Sequence, residues 1–158
     1  MLLLSGLSPV TSTAAALCKA ARKARREGTM VVLDLVAGLR LWAGRDPRII
    51  AMVLREVDVV RCSFADLAVL GVDAASVRRA MRPTATLVIN DAGGAVAAGA
   101  FGEVRVPAKG DVPRAQGAGD SCTAAICAEW ARPSALDGSL DARWHRVLER
   151  CTSATAGA

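Results

Sequence analysis

Met30-Val31-Val32-Leu33-Asp34-Leu35 is an apolar run, β-branched at its start and interrupted only by one carboxylate near its end. A strand with one wet face alternates apolar and polar residues. This run does not alternate, which is the pattern of a strand buried on both faces. Its surroundings fit. Upstream, Leu2 to Ser5 reads as a short strand, and Pro9 with Thr11, Ser12 and Thr13 marks a helix start that Gly28 stops. Ala14, Leu17, Cys18 and Ala21 fall on one face of that helix. Downstream, Asp46-Pro47 opens a helix through Leu54, Val57 to Arg61 forms a strand, and Phe64 to Leu70 a short helix. Asp73 to Met81 is a further helix with a good N-cap, and Ala85 to Asn90 a strand. Gly94 to Ala98 and Glu103 to Val106 alternate and are split by Gly99 to Gly102, so they predict a hairpin. Lys109 to Gln116 reads as a polar loop, followed by helices over Asp120 to Ala131 and Leu140 to about Thr155. Strands alternating with helices predict an α/β three-layer sandwich. Its central sheet would be mostly parallel, with the late hairpin as an antiparallel addition at one edge.

Composition narrows the class. The chain has 158 residues, one domain by length. Hydrophobic residues make up 53% but aromatics only 3%, so the core must be built from Ala, Val, Leu and Ile. Nothing approaches the roughly 20 unbroken apolar residues of a membrane span, so no membrane partner is expected. Met1 to Leu7 lacks a basic leader and is short, so it reads as a buried strand rather than a signal peptide. Cys18, Cys62, Cys122, Cys127 and Cys151 are odd in number and include no Cys-x-x-Cys pair. They predict buried free thiols and a cytoplasmic protein. His145 is the only histidine, so a protein-held metal site is not expected from composition. The net charge of +5 is accounted for by Lys19, Arg22, Lys23, Arg25 and Arg26. No aromatic residue interleaves with them to stack a base. The cluster reads as the solvated face of a helix near its C-terminus, and nucleic acid is not expected as a partner.

The chemistry is concentrated at Gly117-Ala118-Gly119-Asp120, directly before the apolar segment that starts at Ser121. The first N–H groups of a helix have no partner within it, and glycines let a ligand come close to them. Together they suit a phosphate. Asp120 could take a proton from a hydroxyl beside that phosphate, the pairing needed for phosphoryl transfer to an alcohol. On these four residues alone the plainer reading is a glycine turn with an aspartate N-cap.

Gly117-Ala118-Gly119-Asp120-Ser121 also resembles the core of the second signature of the PfkB (ribokinase-like) carbohydrate kinases. Ala85 to Asn90, Gly93-Gly94-Ala95-Val96 and Glu103 to Pro107 resemble the strand, glycine turn and strand that precede it in that family. Asp34 with Leu41-Trp42 and Asp46-Pro47 resembles the Asp-Pro-Asn…Leu-Trp segment, and Val57 to Val60 with Ser63 to Asp66 the strand leading to Asn-x-x-Glu. The resemblance reverses the reading of the turn. It spans nearly the whole chain but only the C-terminal half of a typical member, without the part that supplies sugar contacts and a lid. It implies ATP-dependent phosphorylation of a sugar hydroxyl, with ATP and Mg2+ as cofactors and a small sugar as substrate. Asp120 would be the base, and the N–H groups of Gly117, Ala118 and Gly119 the anion hole. Asn90, Gly93, Gly94, Gly117 and Gly119 would line the nucleotide, and Asp66 would act on magnesium through water. Several positions differ from the family pattern: Arg114 and Gln116 before the turn, Ser63-x-x-Asp66, Val36 and Gly38 after Asp34, and Asp91 in the nucleotide loop. These differences motivate an alternative, a non-catalytic nucleotide-binding or partner-dependent module. An uncovered apolar surface would also favour self-association into a homo-oligomer.

Overall fold

The computed structural model describes residues 1–5, 14–38, 42, 48–108, 117–132 and 138–153. Four parallel strands come first: β1 (Leu2–Ser5), β2 (Val31–Asp34), β3 (Val59–Cys62) and β4 (Thr86–Asp91). Helix α1 (Ala14–Arg26) lies between the first two, and α2 (Arg48–Leu54) between the second and third. Helices α3 (Phe64–Leu70) and α4 (Ala74–Ala80) connect β3 to β4. Strands β5 (Gly94–Gly99) and β6 (Gly102–Pro107) then add antiparallel, and α5 (Ala118–Trp130) and α6 (Leu140–Ser153) close the chain. The six strands lie in the order β1-β2-β3-β4-β5-β6.

That order explains the layers. Three parallel crossovers stepping the same way across a sheet carry their helices to one face. The side chains agree. Val31, Leu33, Val60, Cys62, Leu87 and Ile89 share one core with residues of α1 to α4. Their in-between neighbours Val32, Val59 and Val88 share a second core with Cys122, Ile126, Trp144, Val147 and Leu148 of α5 and α6. The result is the expected three-layer α/β sandwich with an antiparallel edge. β2 and β3 are buried along their whole length, as the lack of alternation predicted.

Local signals set many of the ends. Ser63 and Asp66 form a reciprocal capping box at the start of α3, and Gly71 ends that helix at φ 64°. Asp73 caps α4 through the N–H of Ser76 at 2.6 Å. Three expectations need correction. Helix α5 begins at Ala118, two residues before the expected Asp120, because Gly117 adopts φ 87° and serves as N-cap without a side-chain bond. Asp120 is therefore in the first turn and is not the cap. β1 lies at an edge of the sheet rather than in its interior, and Leu3 is half exposed. Cys122 and Cys151 form a disulfide, their Cα atoms 4.3 Å apart, because α5 and α6 lie side by side. Cys18 and Cys62 are buried free thiols as expected, Cys127 is free but only half-buried, and burial pushes the Cys62 thiol up to about 12. The helix start at residues 9–13, Asp46-Pro47, Arg114, Gln116 and the rest of the 109–116 loop lie outside the described residues. So does Thr155, the predicted end of α6.

Candidate functional site

The carboxyl ends of β2, β3 and β4 present Asp34, Arg61 and Asn90 side by side. All three are buried. Arg61 follows Val59 by two positions, so it points to the same face, toward α5. Its Nη1 donates to Asp34 Oδ1 at 3.1 Å and its Nε to Asn90 Oδ1 at 2.7 Å. The other Asp34 oxygen accepts from Thr123 Oγ1 at 2.9 Å, which brings α5 into the cluster. One turn earlier Gly119 lies directly on the guanidinium. A Cβ there would stand 2.5–2.7 Å from Nη1, Nη2 and Cζ of Arg61. Sequence reading does not single out Arg61 or Thr123. The available signal was a full charge at the end of a run that otherwise reads as a buried strand.

Above this cluster stands the turn singled out from sequence. Gly117 is exposed, Ala118 buried, Gly119 half-buried and Asp120 exposed. The first helical bond of α5 runs from Ser121 N–H to Gly117 C=O at 2.9 Å, so the amides of Ala118, Gly119 and Asp120 precede the regular ladder. With two glycines and an alanine, the turn carries almost no side-chain bulk. The arrangement has what an anion site requires: amides with no backbone partner among the described residues, the positive end of a helix and a carboxylate beside them.

The other expected site residues lie nearby on β4 and β5, with different engagements. The Asn90 side chain is turned inward to Arg61. Gly93 is exposed in the β4–β5 turn, its N–H bonded to Asp91 Oδ1 at 2.7 Å, so that carboxylate folds onto its own turn. Gly94 is buried at φ 131°, where a Cβ would run into the Val106 carbonyl. Both glycines line a cleft of ≈ 290 Å³ with Phe64, Asp91, Arg105 and Pro107. Residues of α5 are not among those lining it. Asp66 sits below the end of β2, where Oδ2 accepts from Ser63 N–H at 2.7 Å and Oδ1 from Ala37 N–H at 2.9 Å. Among the described residues, no group of three or more His, Cys, Asp or Glu is placed to hold a metal ion. No helix among them is long and apolar enough to cross a membrane.

The basic helix is less free than its sequence suggests. Glu56 accepts from Arg22 Nη2 at 2.7 Å and from Arg25 Nη1 at 3.2 Å. The hydrogen bond from Arg22 holds the Glu56 carboxyl below the usual value despite partial burial. Lys19, Lys23 and Arg26 are exposed, as the solvated-face reading expects.

No protein-family model matches the chain, and no curated protein does either. Solved structures do. The aminoimidazole riboside kinase from Salmonella enterica, complexed with aminoimidazole riboside and an ATP analog, superimposes with a TM-score of 0.80. It is 24% identical, and the match covers 99% of this chain and 56% of that one. The fold is ribokinase-like. A PfkB protein from Polaromonas sp. JS666 matches at TM-score 0.72 and 23% identity, over 99% of this chain and 53% of that one. An uncharacterized sugar kinase from Pyrococcus horikoshii in complex with ATP matches at TM-score 0.72 and 16% identity, over 98% and 49%. The chain thus spans about half the length of these structures. The ribokinase-like fold accounts for the parallel strands and the edge hairpin.

Proposed function

We propose that this chain is a single domain equivalent to the nucleotide-binding half of a PfkB-type carbohydrate kinase, and that it transfers the γ-phosphoryl group of ATP to a hydroxyl of a sugar or sugar derivative. The observation that carries this reading is the turn Gly117–Asp120, small in its first three residues, seated over the carboxyl ends of β2 to β4 with an exposed carboxylate at Asp120. Open α/β sheets bind ligands at that end. In the transfer, the acceptor oxygen bonds to phosphorus and the bond to the departing ADP oxygen breaks. Asp120 takes the hydroxyl proton, and the amides of Gly117, Ala118 and Gly119 neutralise the phosphoryl oxygens. Gly93 and Gly94, in a turn with little side-chain bulk, would line the nucleotide with Asn90, Gly117 and Gly119.

ATP fits the turn because the small residues leave its amides approachable. Magnesium usually keeps several waters and binds through one or two carboxylates and the phosphates themselves. Asp66 suits only that indirect role, since both its oxygens already accept hydrogen bonds. When bound, the ion would neutralise phosphate charge.

A coupled kinase assay over a sugar panel tests the reading. Turnover is expected, and Asp120→Asn should lower it by about 10²- to 10⁴-fold, the usual contribution of a positioned base. Turnover indifferent to that substitution would overturn the assignment. A second reading, binding of nucleotide without transfer, is favoured by Asp91, which puts a carboxylate in the β4–β5 turn beside Gly93. Calorimetry with ATP and magnesium separates the two: heat of binding without turnover supports the second, and no binding removes both.

A further inference from the structure

We propose that Arg61 is the positioning residue of the α5 anion turn and adds its charge to that turn from below; the anion-binding part rests on the kinase reading above. Packing alone does not call for an arginine here. An aliphatic side chain would seat Gly119 as well, and replacing a buried ion pair with apolar residues is often neutral or stabilising. A guanidinium under a helix N-terminus faces a like-signed end of the dipole. Its side chain is 5% exposed, yet among the described residues its Nη2 takes no hydrogen-bond acceptor. A cation held at this depth by Asp34 and Asn90, beneath amides that themselves attract anions, adds positive potential where an anion would sit.

The grip has three points. Asp34 and Asn90 hold the guanidinium on the sheet at 3.1 and 2.7 Å. Gly119 rests on its face, and Thr123 ties the next turn of α5 to the same aspartate at 2.9 Å. Gly119 is therefore small because of Arg61 and not because of its backbone, which is helical. The far end of an arginine usually yields to an added methyl. This one is bound on both sides and would have to abandon Asp34 or Asn90. The positioning claim predicts a coupling between residues 119 and 61 that involves no ligand.

A double-mutant cycle reads that coupling in urea unfolding. Gly119→Ala should destabilise the protein with Arg61 present and be neutral or stabilising beside Arg61→Met, since alanine is the better helix former. The cycle is also run in an Asp34→Asn background, where Arg61→Met strands no buried charge. Equal effects of Gly119→Ala in both backgrounds overturn the positioning role. Calorimetry with magnesium–ATP reads the charge. Arg61→Met should weaken binding at least tenfold, and Arg61→Lys should recover to within about threefold of the parent. Parent-like binding by a folded Arg61→Met overturns that half of the proposal. If the parent chain binds no nucleotide, the kinase reading and the charge role fall together, while the cycle still decides the positioning claim.

Discussion

At its amino end α5 presents Gly117, Ala118 and Gly119, and is held from beneath by Arg61, Asp34 and Asn90. At its carboxyl end the helix supplies the bulky groups itself and is held from the side by α6. Glu129 is fully buried and accepts from Arg146 at 2.6 and 3.0 Å, with Arg150 and Arg132 at 3.5 and 3.9 Å from its other oxygen. Trp130 lies 4.5 Å from Trp144, and Arg143 stacks over Trp130. The disulfide adds a covalent tie only two residues beyond Asp120. The difference is instructive. A helix end that must offer its backbone to a ligand cannot also anchor itself with its own side chains, so the anchoring comes from strands below and from the rest of the helix.

The sharpest way to break the comparison is Asp34→Ala. It leaves the Arg61 guanidinium buried without a counter-charge and takes away the Thr123 acceptor. Removing one partner of a buried pair costs about 3–5 kcal/mol, so the urea midpoint should fall steeply. A loss under about 1 kcal/mol, the range of exposed pairs, would show that the amino end is not held from beneath. Next comes the tie to α6. The Cys122–Cys151 bond closes a loop with a sequence separation of 29, and chain-entropy arguments give such a loop about 3–4 kcal/mol. Unfolding with and without a reductant measures it. An unchanged midpoint would mean that packing alone joins the two helices.

Which of these features the sequence reveals follows from their range. The β2 run, the Asp73 cap and the glycine-split hairpin are local patterns, and each forms where its residues predict. The start of α5 shifted by two because Asp120 has the chemistry of a cap, whereas Gly117 has the backbone freedom that decides where the chain turns. Arg61 ends a predicted strand, where a charge ordinarily meets solvent. The approach of α5, far along the chain, covers it. The disulfide is hidden for the same reason, since nothing near Cys122 or Cys151 announces that two helices run side by side.

The carboxyl-end clamp makes a pH prediction. Burial pushes the Glu129 carboxyl up, but the hydrogen bond from Arg146 and the charges of Arg146, Arg132 and Arg150 outweigh it and hold the group below its ordinary 4.5. The unfolded chain therefore takes up this proton first as pH falls. The contribution is fully present above about pH 4.5 and is lost as pH drops through the lower folded value. Glu129→Gln should cost about 2 kcal/mol at neutral pH, as expected for hydrogen bonds to a charged group, and should flatten the acid limb of the stability curve. An acid limb as steep as the parent's would assign that limb to other carboxylates.

The smallest expected effect belongs to the residue on which the functional reading depends most. Asp120 is exposed in the first turn of α5, and the cap of that helix is Gly117. A negative charge there interacts favourably with the helix dipole, an effect of a few tenths of a kcal/mol at an exposed position. Asp120→Asn should thus shift stability by less than about 0.5 kcal/mol, the range of ordinary surface substitutions. The contrast with Asp34 gives the measurement its force. Both are aspartates at the same end of the sheet, one buried against an arginine and one open to solvent above it. If Asp120→Asn were to destabilise the fold by several kcal/mol, any loss of turnover in that variant would be explained by unfolding, and the carboxylate would have to be counted with the grip below the turn. A stable variant with no transfer leaves proton abstraction as the role that the position can hold.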